Sequence, residues 1–111
     1  MKKKYNCPIE VTLDAIGGKW KTLILWHLKE KSLRSGQIKK LVPGITQKIL
    51  TQKLRELENH GLISRKVYAQ MPPKVEYTLT TYGKTIRPIL DNLCKWGTKH
   101  IKNLPGSITF T

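Results

Sequence analysis

Between Thr46 and Leu79 the apolar residues change their spacing from that of a helix to that of strands. Residues 47–59 place leucines three and four positions apart, whereas residues 63–68 and 75–79 alternate apolar with polar side chains. This change predicts an amphipathic helix that leads directly into a β-hairpin. A basic helix followed by a hairpin is typical of small proteins that grip duplex DNA, so nucleic-acid binding is the first hypothesis.

Two helices are predicted near the start of the chain. Residues 8–16 have the spacing of a short amphipathic helix, with Pro8 in its first turn, and Gly17-Gly18 ends it. Residues 19–30 are apolar over most of a helical circumference. The second helix is therefore expected to be the central helix of the core.

The third and fourth helices are expected to form a helix-turn-helix. Ser35 is suited to cap the third helix, after a short extended piece at Leu33-Arg34. Thr46 is suited to cap the fourth helix, and Gly61 to close it in the left-handed conformation. Only residues 42–45 separate the two helices, which is the tight connection that a helix-turn-helix needs.

A last long helix is predicted from Thr81, with a bend near Pro88 and Gly97. Residues 102–111 are expected to be a tail, and residues 1–111 are expected to form one domain. The fold class predicted from these elements is mainly α with a small β-hairpin.

The charge of the chain is lopsided, with 21 Lys and Arg against 7 Asp and Glu and a formal net charge of +14. Residues 31–74 hold ten basic and two acidic side chains, so more than half of the excess lies on the predicted helix-turn-helix and hairpin. Lysine acting only as a solubilising residue explains the total but not this placement. The partner implied is polyanionic, with nucleic acid first and an acidic membrane face second.

The fourth helix has a buried face and a face suited to DNA. A solvated face more often pairs Glu with Lys, whereas the first three exposed turns of this helix carry no acid. Gln can pair with adenine, Arg can make two bonds to guanine, and Thr and Lys can reach base edges or phosphates. The face expected to be buried comprises Thr46, Leu50, Leu54 and Leu57, and the DNA-facing side comprises Gln47, Lys48, Thr51, Gln52 and Arg55.

The hairpin is expected to act as a wing. Its cations Arg65, Lys66 and Lys74 are suited to backbone phosphates or an adjacent minor groove. The alternative is an ordinary solvated hairpin. Arg34 and Ser35, at the predicted start of the third helix, complete the candidate DNA-binding residues.

Three pieces of the chain occur in the order seen in one family: Ile16-Gly17-Gly18-Lys19-Trp20, the run from Leu50 to Gly61, and Pro72-Pro73 leading into Val75-Glu76-Tyr77-Thr78-Leu79-Thr80. With them, residues 7 to about 101 closely resemble the HxlR-type transcriptional regulators, winged-helix proteins akin to the MarR group. The resemblance implies a winged helix-turn-helix domain with N- and C-terminal dimerisation helices, and a DNA-binding regulator that is expected to be a repressor.

The resemblance also implies a homodimer that places two recognition helices in successive major grooves of a palindromic operator, with half-sites about 34 Å apart or a multiple of it. The sequence is compatible with a dimer, because the last helix has more apolar positions than one small core can use. The alternative is that this helix packs wholly on its own domain. The candidate interface residues are Ile9, Leu13, Ile89, Leu93, Trp96 and Ile101.

Several members of the family sense oxidants or electrophiles through a cysteine just ahead of the first helix, where Cys7 stands. A cysteine that caps a helix lies near free amides and the positive end of the dipole, and Lys2-Lys3-Lys4 adds positive potential. The alternative is an unreactive thiol near the dimer seam. Cys94 is expected to be a small core hydrophobe.

No metal, cofactor or catalytic centre is expected. His27, His60 and His100 are far apart in sequence, and two distant cysteines make neither a metal motif nor a disulfide framework. No segment approaches the roughly 20 apolar residues that span a bilayer, so a cytoplasmic protein without a membrane partner is expected. The main alternative function is a basic RNA-binding or ribosome-associated module, and the third is a thiol-dependent enzyme centred on Cys7.

Overall fold

The computed structural model describes residues 4–106 and 108–110. Four helices and a short strand precede the β-hairpin, and two single turns of 3₁₀ helix flank the last α-helix. The elements are α1 (Pro8–Ile16), α2 (Gly18–Leu28), β1 (Leu33–Arg34), α3 (Ser35–Leu41), α4 (Gln47–Asn59), β2 (Ile63–Tyr68), β3 (Lys74–Leu79), a 3₁₀ turn (Gly83–Ile86), α5 (Arg87–His100) and a second 3₁₀ turn (Ile101–Asn103).

The core lies around α2, as predicted. Ile24, Leu25 and Leu28 of this helix are buried, and α4 packs against it. The buried side of α4 consists of three leucines, whereas Thr46, which was expected on that face, is exposed because it precedes the helix. The three leucines are Leu50, Leu54 and Leu57.

Local capping signals place α4 as predicted but not α3. Thr46 accepts a hydrogen bond at its hydroxyl from the Ile49 amide (3.1 Å), and Gly61 has a φ of 74° beyond the end of α4. The prediction that Ser35 caps α3 is wrong, because the capping position belongs to Arg34. There the Gln37 side chain reaches back and accepts a hydrogen bond from the Arg34 amide (2.8 Å).

The sheet has three antiparallel strands in the order β1-β3-β2. The short extended piece at Leu33-Arg34 is a strand that pairs with β3, and β3 begins one residue before the predicted strand, at Lys74, which lies opposite Tyr68. Leu33, Ile63 and Leu79 are buried at the end of the sheet next to the helices. The hairpin then leaves the core, so its outer residues are accessible on both faces.

The prediction of a helix that starts at Thr81 and bends at Pro88 is wrong. α5 begins at Arg87, and Pro88 lies in its first turn, where no amide donor is needed. A 3₁₀ turn precedes α5 because the Thr80 hydroxyl accepts from the Gly83 amide (2.8 Å), and a Cβ at Gly83 would lie 1.9 Å from the Leu62 carbonyl oxygen. α5 continues through Gly97 to His100.

Cys94 is exposed on α5, so the expectation of a buried core thiol is wrong. Within residues 4–106 and 108–110, no helix combines the length and apolar character needed to cross a bilayer.

Candidate nucleic-acid interface

The outer face of α4 carries the polar residues predicted to face DNA. Four of them are exposed and Thr51 is half-buried, with the Gln47 amide donating to the Thr51 hydroxyl at 3.2 Å. Because the leucines of the opposite face are in the core, this side cannot rotate inward. A groove of about 580 Å³ runs along it, lined by Gln47, Lys48, Thr51, Gln52, Arg55, Glu56 and Asn59.

Glu56, the first acidic residue of α4, is paired with two lysines on the side away from the DNA-facing residues. The Glu56 carboxylate lies 3.3 Å from the Lys53 ammonium and 3.7 Å from the ammonium of Lys21 on α2. Lys21 is the one charged residue buried within the described ranges, and it also donates to the Asp14 carbonyl at 2.6 Å. The outer face of α4 therefore keeps the positive charge of Lys48 and Arg55.

A second groove, of about 460 Å³, separates the start of α3 from the hairpin loop. It brings Arg34 and Ser35 together with Lys74, forty residues further along the chain. Lys40 and Gln70 also line it, although the sequence did not single them out. The groove has the cations and polar groups that backbone phosphates need.

The hairpin cations lie on two faces of the sheet. Lys66 is opposite Glu76 in the register, whereas Arg65 is opposite Tyr77, so their side chains point to opposite sides. Lys74 shares the face of Lys66. Arg65 instead borders a groove of about 240 Å³ with Arg55, Glu58 and Asn59. The three wing cations predicted as one group therefore form a pair and a single residue beside α4.

Glu76 is a charged residue of this surface that was not among the predicted site residues. Its carboxylate accepts a hydrogen bond from the Tyr68 hydroxyl at 2.9 Å and lies 3.5 Å from the Lys74 ammonium. The Tyr68 hydrogen bond is the main cause that lowers the pKa of Glu76, and the charges of Lys74 and Arg34 add to it against the effect of burial. The alternation of side chains along β3 already predicts that Glu76 and Lys74 share a face of the sheet. Only the strand register shows that Lys66 and Arg34 lie on that face as well.

Cys7 is the N-cap of α1, as predicted, and its thiol is exposed. The Glu10 carboxylate accepts hydrogen bonds from the amides of Asn6 and Cys7, which places a negative group at the start of the helix. Of the predicted lysines, Lys2 and Lys3 lie outside the described residues. The exposed thiol therefore lies at the same helix start as the Glu10 carboxylate.

The candidate interface residues form apolar surface on α1 and α5. Ile9 and Leu13 are 62% and 58% exposed, and Leu93 and Trp96 are 50% and 66% exposed. Ile89 is also exposed, and Ile101 is half-buried. A shallow groove of about 260 Å³ lies between α2 and α5, lined by Thr22, Leu23, Trp26, Leu90, Leu93 and Cys94.

Comparison with known proteins agrees with this geometry. A family model described as HxlR-like helix-turn-helix matches residues 15–105. The HTH-type transcriptional regulator YtcD of Bacillus subtilis strain 168 is 56% identical over 105 residues, which cover 95% of this chain and 83% of the relative.

Two solved structures show the same fold. The redox regulator HypR in its oxidized form is 47% identical at a TM-score of 0.81, over 84% of this chain and 96% of that one. A MarR-family transcriptional regulator from Porphyromonas gingivalis W83 is 36% identical at a TM-score of 0.80, over 88% and 96% of the two chains. The predicted resemblance and the winged helix-turn-helix fold class are confirmed, and these relatives are transcriptional regulators rather than enzymes.

Proposed function

Since the chain belongs to the HxlR-like helix-turn-helix family of transcriptional regulators, we propose that it is a homodimer that binds a palindromic operator in double-stranded DNA and represses a nearby promoter. The observation that carries this proposal is that α4 has a buried apolar face and, opposite to it, an exposed polar face. Three leucines fix one face in the core, and base-reading side chains occupy the other. A repressor acts where the DNA is, so the proposed location of the protein is the cytoplasm.

The DNA-binding residues divide into two groups in this proposal. The outer face of α4 reads base edges in the major groove, with Gln47, Thr51, Gln52 and Arg55 as the selective side chains. The other group positions the protein on phosphates, because cations at the edge of an interface bind the backbone of any duplex. That group comprises Arg34, Ser35, Lys48, Arg65, Lys66 and Lys74.

The dimer is proposed from the apolar surface on α1 and α5. Large apolar side chains clustered on the surface of a small protein mark an interaction site. A second copy covers them symmetrically, since a twofold axis presents the same patch from both chains. The partner α4 then faces the same side of the DNA, as a palindrome requires.

Cys7 is proposed as a sensor of oxidants or electrophiles. Its thiol is exposed at the start of α1, and one of the most similar structures is that of a redox regulator in its oxidized form. Modification there changes the packing of α1 in the proposed dimer and thereby the spacing of the recognition helices. A small electrophile is the proposed effector, and no cofactor is required.

The test of DNA recognition is selection of binding sequences from a random duplex library, followed by footprinting. We expect a palindrome with half-sites about 10 base pairs apart centre to centre, or a multiple of that distance. Competition with structured RNA serves as the control, because A-form RNA hides its bases in a deep major groove. Failure to enrich any sequence, or equal competition by RNA, would contradict the proposal.

A further inference from the structure

The wing contains one acidic side chain among its cations. Glu76 lies on β3, opposite Arg34 of β1 on one side and opposite Lys66 of β2 on the other. Directly opposed residues of antiparallel strands share a face, and Lys74, two positions earlier on β3, shares it as well. The carboxylate therefore lies on the same side of the sheet as three cations.

Both carboxylate oxygens of Glu76 are engaged. Oε1 accepts from the Tyr68 hydroxyl at 2.9 Å, and Oε2 lies 3.5 Å from the Lys74 Nζ. The Lys66 and Lys74 ammonium groups lie 4.9 and 5.0 Å from the centre of the Tyr68 ring, which is within cation–π range. Tyr68 thus orients the carboxylate with its hydroxyl and holds the lysines with its ring.

We propose that Glu76 acts as a built-in competitor of DNA phosphate, which limits how strongly the wing binds duplex DNA of any sequence. The inference rests on the proposed function. A carboxylate and a phosphate use the same N–H donors, so DNA must displace Glu76 from Lys74 before a phosphate takes its place. The chain has a net charge of +14, so it binds phosphates of any sequence. Competition by the Glu76 carboxylate reduces this binding at the many sites that are not operators.

The salt dependence of binding gives a quantitative test. The logarithm of the binding constant falls with the logarithm of salt concentration with a slope of about 0.9 for each phosphate neutralised. We expect Glu76→Gln, which keeps the size and the hydrogen-bond acceptor, to steepen this slope by up to about 0.9, because Lys74 then neutralises a phosphate in every complex, and to tighten binding several-fold at low salt. The probe is a labelled random-sequence duplex of about 30 base pairs, roughly three helical turns.

Asp91→Asn is the matched control. Asp91 on α5 pairs with Lys29 at 3.1 Å, so its removal also frees a lysine and adds one positive charge, but on an element that packs against α2 rather than in the wing. We expect its slope to stay at the wild-type value. Equal steepening by Asp91→Asn would overturn the proposal, because the effect would then follow net charge alone.

Tyr68→Phe tests whether the charge of Glu76 or its hydrogen bond to Tyr68 determines the salt dependence. This variant removes the hydrogen bond to Glu76 but keeps the carboxylate, so we expect a slope near that of the wild type. Weaker binding with a shallower slope in Glu76→Gln would overturn the proposal, because Glu76 would then serve to hold Lys74 in position for DNA. A wild-type protein that binds the duplex without salt dependence would instead contradict the proposed function itself.

Discussion

Arg55 has the strongest geometric case for reading a base. It is exposed on the outer face of α4, and it lines both the groove along that helix and the smaller groove toward Arg65. A guanidinium can make two parallel hydrogen bonds to guanine, which gives base discrimination as well as affinity.

We predict that Arg55→Ala weakens binding to the selected operator by about 1–3 kcal/mol and relaxes the preference at one base position. Fluorescence anisotropy on operator and random duplexes measures both effects. The random duplex is the control, because the operator base that Arg55 is proposed to read does not occupy a fixed position in it. An equal loss on the two duplexes would assign Arg55 to the phosphate backbone instead.

Cys7 and Cys94 are both exposed, so a thiol response can be assigned by single substitutions. We predict that diamide or a quinone lowers the operator affinity of the wild type and leaves that of Cys7→Ser unchanged, because only Cys7 lies at the start of α1. Cys94→Ser shows whether the response needs the second cysteine. Identical responses of the wild type and Cys7→Ser would exclude Cys7 as the sensor.

His27 gives the fold a pH dependence. Burial lowers the pKa of its imidazole, and a hydrogen bond with the Leu41 backbone opposes this shift. The unfolded chain therefore binds a proton near the ordinary pKa of about 6.5, where the folded chain does not. Stability is complete above that pH and is lost as the pH falls through the window below it.

We predict that the free energy of unfolding of the wild type decreases as the pH falls below about 7, and that His27→Gln flattens this dependence. Urea unfolding followed by circular dichroism at several pH values measures it. His60→Gln, at an exposed histidine, is the control for replacing a histidine by glutamine. A slope that survives in His27→Gln would place the titrating group elsewhere.

At the scale of elements, α4 was predictable because its signals are local. Thr46 and Gly61 are adjacent to the ends that they define, and the leucine spacing fixes the buried face. The start of α3 was mistaken by one residue because serine is a usual capping residue, whereas the Gln37 side chain accepts from the Arg34 amide and so places the cap at Arg34.

Elements that depend on distant pairing were not predictable from spacing alone. Leu33-Arg34 is too short for its side-chain pattern to predict a strand, and it is a strand only because it pairs with β3. The start of α5 depends on the contact of Gly83 with Leu62, twenty-one residues earlier. The charge partners of Glu76 were missed for the same reason, because strand register follows from the packed core and turn rather than from composition.

Lys21 connects three helices, since it belongs to α2, donates to the last turn of α1 and pairs with Glu56 on α4. Its side chain is only 11% exposed, and a charge so buried requires partners. We predict that Lys21→Met, which keeps the apolar length, lowers the free energy of unfolding by about 1–3 kcal/mol. Denaturant titration measures the change.

Lys53→Met is the control for Lys21→Met, because it removes the other lysine beside the Glu56 carboxylate. That pair spans one turn of α4 near the surface, so we expect a loss of no more than about 0.5 kcal/mol. Similar losses from the two substitutions would show that the Lys21 contacts add nothing beyond an ordinary surface ion pair.

At the scale of the whole molecule, the basic grooves and the proposed interface lie on different elements. The basic grooves belong to α3, α4 and the hairpin, and the exposed apolar side chains of the proposed interface belong to α1 and α5. This separation lets one copy bind DNA and a second copy without competition between the two surfaces. It also makes the dimer testable without touching a DNA-binding residue.

We predict that Leu93→Glu converts the proposed dimer to a monomer, because it places a charge within the apolar surface on α5. Sedimentation velocity measures the mass, and operator affinity should fall together with it, since one recognition helix then occupies one half-site. Val67→Glu is the matched control for the mass alone, because Val67 is similarly exposed, at 59%, but lies on the hairpin, where a carboxylate is expected to weaken DNA binding directly. A Leu93→Glu protein that stays dimeric would remove α5 from the interface, and a wild type that is monomeric on its own and on the operator would refute the symmetric model of recognition.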